Sequence, residues 1–248
     1  MIYFIGAGPG AADLITVRGR SLLERAELVV YAGSLVNPQL LSWCPEEAVR
    51  LDSARMTLEE VVDALTSRGR EATVVRLHTG DPALYGAIRE QMAALRRRGF
   101  DYEVVPGVSS LFAASAALGA EYTLPGVSQT LIVTRMAGRT PVPEGQDLRS
   151  LASHGASMAL FLSADRLKEI CAELTAGGYA PDTPCAVVFR ASWPDEETVR
   201  GTLSDIAEKA AHIRRTALVL VGRFLSEEGE RSMLYHPAFS HGYREAKG

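Results

Sequence analysis

The feature that most constrains this chain is the alternation of short apolar runs with amphipathic stretches along nearly its whole length. In the first half, IYFIG, ELVVY, AVRL, EATVVRL and DYEVV read as buried strands. Between them VRGRSLLERA, a short stretch around Pro38 to Trp43, TLEEVVDALTSRG and ALYGAIREQMAALRRRG carry apolar residues at helical spacing, and PGVSSLFAASAALG follows as an Ala-rich helix. Thr16 suits the N-cap of the first helix, and Gly69 suits the stop after TLEEVVDALTSRG. Such alternation predicts a mostly parallel sheet with right-handed crossovers.

The pattern breaks at LGAEYTLPGVSQ, which predicts two α/β domains, residues 1–120 and 121–248, with a cleft between them. In the second half QTLIVTR, SMALFLS, CAVVFRA and ALVLVG read as strands, and DRLKEICAELTAGG and DIAEKAAHI as helices. ETVRGTL follows CAVVFRA too closely for a crossover, so it is expected to be antiparallel and the second sheet mixed. From about residue 224 the tail shows no clear element.

In an open parallel sheet, ligands bind beyond the carboxyl ends of the strands. Three glycine-bearing loops follow predicted strands: GAGPG (Gly6 to Gly10), HTGDP (His78 to Pro82) and PGVSS (Pro106 to Ser110). Ser163 and RASWPDE follow strands in the second half. The first loop has the G-x-G-x-x-A spacing of a dinucleotide fingerprint, but Pro9 removes an N–H that a pyrophosphate would want. The second strand also ends ELVVYAG, without an acidic residue for a ribose, and the helix starts too far along to aim its dipole at a phosphate. NAD is therefore disfavoured.

Asp81 could cap a helix or touch a ligand, His78 could carry a proton or be structural, and Ser109 and Ser110 could cap or donate. No phosphate-binding Walker loop, no G-x-S-x-G and no metal-ligand spacing occurs, and Cys44, Cys171 and Cys185 are too scattered for a zinc site or disulfide framework. A net charge of −4 offers no field for nucleic acid or anionic membrane, and no apolar run approaches the roughly 20 residues of a membrane span. No positively charged segment precedes the first apolar run, so a cytoplasmic protein is expected. Read this far, the residues describe a two-domain α/β protein with a small-molecule cleft.

YFIGAGPGAADLIT, VVYAGSLVNPQLL, VRLHTGDPALYGAIREQM, VVPGVSS and YTLPGVSQTLIVTRMAGRTPVPE together resemble the precorrin-4 C(11)-methyltransferase family, a branch of the tetrapyrrole methyltransferases. The resemblance runs from Met1 to about Gly222, and YAGSLVNPQLL and TRMAGRTPVPE are its more specific parts. It implies a homodimer that uses S-adenosyl-L-methionine, releases S-adenosyl-L-homocysteine, and methylates a tetrapyrrole polycarboxylate at carbon 11, with or without cobalt in the ring. By motif, the cofactor would meet Pro9, Thr79, Gly80, Asp81, Leu84, Ser109, Ser110, Leu162, Ala191, Thr216 and Ala217. Leu162 and Ala191 stand where relatives often carry Met and Gly. Gly8 and Gly10 would face substrate, so the GAGPG loop would serve substrate and cofactor rather than a pyrophosphate.

Arg18, Arg55, Arg135 and Arg139, expected in loops, are candidates to hold its carboxylates; the alternative for each is a solvated surface charge. His78 or Asp81 would be the base if a proton must move. The competing readings are a methyltransferase acting at another ring position and a non-catalytic tetrapyrrole carrier.

Overall fold

The computed structural model describes residues 1–226, 229–230 and 232–246. The chain divides into two compact units, Met1–Ala114 with Arg190–Glu196, and Ser115–Phe189 with Glu197–Gly248.

The first unit is built on β1 (Ile2–Gly6), β2 (Leu28–Tyr31), β3 (Val49–Asp52), β4 (Val74–His78) and β5 (Tyr102–Val105). All neighbours pair in parallel, in the order β3-β2-β4-β1-β5. The strands read as continuous apolar runs because both faces are covered. Ile5, Val29, Val75, Leu77 and Val105 pack with Leu22 and Leu23 of α1 (Val17–Leu23) and Leu40 of α2 (Pro38–Leu41). On the other face Ile2, Phe4, Leu28, Val30 and Val74 pack with α3 (Leu58–Thr66) and α4 (Ile88–Arg97). Thr16 caps α1 by accepting from the Gly19 N–H, as expected, and Thr57 with Glu60 forms a reciprocal capping box on α3.

One helix starts later than its sequence suggests. The apolar spacing from Ala83 predicts helix, but α4 begins at Ile88. The Asp81 carboxylate captures the Ala83 N–H, and Tyr85 and Ala87 adopt left-handed conformations at φ 57° and 49°. Those side-chain bonds and turns replace the first helical hydrogen bonds.

The boundary between units falls inside α5 (Ser110–Leu118), a few residues before the turn-rich stretch that suggests it in the sequence. The second unit holds β6 (Leu131–Arg135), β7 (Ser157–Phe161), β8 (Pro184–Phe189), β9 (Glu197–Thr202) and β10 (Ala217–Val221), in the order β6-β7-β10-β8-β9. Only β6 and β7 are parallel, so the sheet is mixed. Its core joins Met158, Leu160, Val187, Val219 and Val221 to α6 (Leu148–Ala152), α7 (Leu167–Ala176) and α8 (Ile206–Lys209). α6 has no counterpart among the helices expected from the sequence, although Asp147 caps it by accepting from the Ser150 N–H. α8 is shorter than DIAEKAAHI suggests.

Candidate functional site

In the first sheet, neighbouring β1 and β4 send their chains to opposite faces, through α1 and α4 respectively. That makes the carboxyl ends of β1 and β4 the topological switch point, where ligands of open α/β sheets bind. The GAGPG and HTGDP loops meet there through an exchange of backbone hydrogen bonds, Gly8 N–H to Gly80 O (3.3 Å) and Gly80 N–H to Gly8 O (2.8 Å). The third loop closes on both. A Cβ on Gly107 would lie 2.2 Å from the Gly80 carbonyl oxygen and 2.6 Å from the Gly6 Cα, so only glycine permits this approach.

Asp81 holds the cluster together. Its Oδ2 accepts from the Gly107 N–H at 2.8 Å and its Oδ1 from the Ala83 N–H at 2.8 Å. Ser109 is buried and caps α5, its hydroxyl accepting from the Leu111 N–H and its carbonyl from Phe112 and Ala113. Thr79 stays exposed between these anchored groups.

The segment Arg190–Glu196 belongs to the same unit. The Trp193 indole N–H donates to the Pro9 carbonyl at 3.0 Å, and the Ser192 hydroxyl accepts from the Ala11 N–H at 3.0 Å. Asn37 donates to the Gly10 carbonyl at 2.9 Å. The polar backbone groups of GAGPG are thus largely spoken for by the protein, which removes the donors a dinucleotide pyrophosphate would require.

In the second unit, the carboxyl ends of β6, β7 and β8 and the start of β10 share one sheet edge. Leu162 there is 73% exposed at φ 54°, and Thr216 is exposed at φ 54°. Continuing the β7–β10 register sets Leu162 opposite Ala217, which pairs with Phe189 on its other side. Ser163 fixes the turn below, donating to Phe161 O and accepting from the Met136 N–H. A pocket of about 270 Å³ in the same unit is lined by Phe189, Ile213, Arg214, Arg215 and the Glu197–His212 pair. Non-glycine residues at positive φ are strained and cluster where ligands are held.

The family model for tetrapyrrole (corrin/porphyrin) methylases matches residues 1–207. A precorrin-4 C(11)-methyltransferase of Pseudomonas aeruginosa is 50% identical over 247 residues, 98% of each chain. The chain belongs to this family, in its precorrin-4 C(11)-methyltransferase branch. The solved structure of a cobalamin biosynthetic enzyme, cobalt precorrin-4 methyltransferase, superposes with a TM-score of 0.88 at 50% identity, covering 91% of this chain and 95% of that one. A uroporphyrin-III C-methyl transferase from Thermus thermophilus, complexed with S-adenyl homocysteine, gives 0.76 at 31% identity over 93% and 95%.

Within this methylase the residues expected at the site fare differently. Gly8, Pro9, Gly80, Asp81, Ser109 and Ser110 come together in the three-loop cluster, with Ala191 on the segment bound to it. Leu84 follows in the Asp81 turn, its N–H donating to Asp81 O. Leu162, Thr216 and Ala217 share the second unit's edge.

His78 does not suit a base. Alternation along β4 puts it with Val74 on the α3/α4 face, its ring stacked 6.0 Å from Phe4 and its Nε2 without a hydrogen-bond partner among the described residues. Burial, aided by the Arg76 guanidinium, pushes its pKa down to about 3. Asp81 likewise spends both oxygens on backbone N–H groups, and it caps a turn, not a helix.

Gly10 owes its missing side chain to Trp193, whose Cδ1 would lie 2.1 Å from a Cβ there. Arg18 lies on α1, not in a loop, and pairs with Glu103 at 2.7 Å. Arg135 ends β6 and donates to the carbonyls of Met136, Thr140 and Pro141. Arg55 and Arg139 are exposed, and no ion pair to either is found among the described residues. Trp193 and Ser192 are not expected at the site from the sequence; the one local signal for them is an aromatic in the polar RASWPDE turn.

Proposed function

We propose that this methylase transfers the methyl group of S-adenosylmethionine to carbon 11 of precorrin-4 or cobalt-precorrin-4, giving the precorrin-5 form in cobalamin biosynthesis. What carries the reading is that the similarity to precorrin-4 methyltransferases runs through both units. Relatives named for the cobalt-bearing and the metal-free substrate match about equally, and the reading covers both.

The residues present fit the cofactor. In the first unit the backbone of the three glycine loops and of Ala191 is fixed in advance, with Thr79 left exposed. In the second, Leu162 holds an exposed apolar side chain at a strained position beside Ala217. When bound, S-adenosylmethionine supplies an electrophilic methyl on a sulfonium. The protein's task is then orientation and exclusion of water, and such positioning can account for roughly 7–11 kcal/mol of a barrier.

A protein base has no place in this arrangement. His78 is neutral and enclosed, and Asp81 is occupied as a latch. The electron-rich macrocycle carbon would take the methyl as the sulfur–methyl bond breaks and S-adenosylhomocysteine leaves, with no side chain needed to remove a proton first. Arg55 and Arg139 are the arginines left to meet the substrate's carboxylates.

The protein is further read as a cytoplasmic homodimer. Free, buried Cys44, Cys171 and Cys185 agree with a reducing compartment, and Phe112, 59% exposed on α5, is a side chain that a subunit interface would cover. Sedimentation at micromolar concentration tests the dimer.

Calorimetric titration with S-adenosylhomocysteine, with NAD as control, tests the cofactor. Turnover of precorrin-4 with and without cobalt, read as gain of one methyl group by mass spectrometry, tests the substrate. Binding of NAD, or methylation at a carbon other than 11, would sink the reading.

A further inference from the structure

We propose that Trp193 is a positioning residue for the methyl transfer. It fixes the GAGPG loop through its indole, and the backbone of Ala191 through the turn that it anchors. The proposal rests on the reading above that Pro9 and Ala191 border the bound cofactor.

The indole does two things to the loop. Its N–H donates to the Pro9 carbonyl at 3.0 Å, and its ring occupies the space a side chain at position 10 would need. One group therefore sets both the orientation of the Pro9–Gly10 peptide and the residue type allowed beside it. The ring is also stacked by the Arg190 guanidinium, 4.0 Å from the ring centroid and bound to Asp195 at 2.7 Å.

The same contacts hold a strained turn. Arg190 and Ser192 have φ of 45° and 68°, so Ala191 sits between two left-handed residues. Such a conformation persists only where the surroundings over-determine it. Here the Arg190–Asp195 pair, the Arg190–Trp193 stack, the Ser192 hydroxyl on the Ala11 N–H and the Ser192 N–H on Glu196 Oε2 do so. Trp193 stands in the middle, touching both the turn and the loop.

Misplacement of a ligand by about 1 Å can cost 100-fold in rate, so a residue that places two ligand-bordering segments should be visible in kinetics. Trp193→Ala is expected to raise the KM for S-adenosylmethionine and the Kd of S-adenosylhomocysteine at least about 10-fold and to lower kcat. Trp193→Phe keeps the ring over Gly10 and under Arg190 but loses the N–H, and should recover part of the loss. With Trp43→Phe, Trp193 becomes the one tryptophan of the chain, and its emission should shift on titration with S-adenosylhomocysteine.

A lowered melting temperature with KM and kcat unchanged would mark a merely structural role and overturn the proposal. Should the Ala variant not fold, unchanged affinity in the Phe variant together with silent Trp193 emission overturns it equally. Failure of the unsubstituted enzyme to bind S-adenosylhomocysteine would remove the cofactor reading and this proposal with it. Binding by the wild type with unaffected variants removes this proposal alone.

Discussion

The three-loop cluster of the first sheet and the strand ends of the second, which the proposed function assigns to the cofactor, are built by opposite means. The first uses glycine. Gly6, Gly80 and Gly107 approach backbone to backbone, and Asp81 ties the result together. The second keeps side chains where the backbone would favour glycine, with Leu162 and Thr216 at φ 54°. A glycine cluster tolerates no added atom. A strained leucine or threonine can instead be relaxed by glycine without adding an atom.

The sharpest break in that comparison is Gly107→Ala. The new Cβ would meet backbone at 2.2 Å and 2.6 Å, and backbone in three loops cannot shift independently. Destabilisation of about 3 kcal/mol or more is expected, read from the urea midpoint. A loss below about 1 kcal/mol would show that the cluster is soft and the contrast unfounded.

A second difference lies beneath the edges. The first unit buries Arg76 and His78, whereas the second buries Tyr179 and Cys185, whose burial pushes the phenol up to about 12 and the thiol well up. Acid should therefore act on the first unit through His78. Its folded pKa of about 3 is below the unfolded 6.5, so between these values the unfolded chain binds more protons. The stability is fully present above pH 6.5 and drains away as pH falls toward 3, by up to about 3–5 kcal/mol. His78→Leu should flatten that limb. An unchanged acid limb would mean that His78 does not control it.

The same contrast decides what could be read in the sequence. The parallel sheet and its three ligand-side loops are legible because short apolar strands end in glycine-bearing turns. β9 is legible as antiparallel because so little chain separates it from β8. The late start of α4 is not, since the apolar spacing from Ala83 is helical and only the Asp81 carboxylate diverts it. His78 reads as a loop-edge residue, yet the register of β4 turns it into the layer against Phe4. Nothing in Leu162 or Thr216 betrays a positive φ, because no residue type marks a strained position as glycine marks a relaxed one. Trp193 acts across more than 180 positions of chain, a distance no local pattern spans.

Asp81→Asn makes a smaller break. An amide offers one acceptor where the carboxylate offers two, so an NH2 faces either the Gly107 or the Ala83 N–H. A cost of roughly 1–3 kcal/mol is expected in thermal unfolding, with weaker S-adenosylhomocysteine binding as the loops loosen. Full stability with slower turnover would instead point to Asp81 as a base.

Leu162→Gly and Thr216→Gly should barely change stability, and that is their value. Relief of left-handed strain contributes about 1 kcal/mol, while glycine's extra freedom in the unfolded chain offsets it by roughly 0.5–1 kcal/mol. Leu162 is 73% exposed, so little buried apolar contact is lost. Cofactor affinity is another matter, because the side chain whose presence the strain sustains is gone. The expected result is a melting temperature within a degree or two of wild type together with a several-fold weaker Kd for S-adenosylhomocysteine. Equal affinity would show that the strain at this edge serves the fold, and the two edges would then differ in construction but not in purpose.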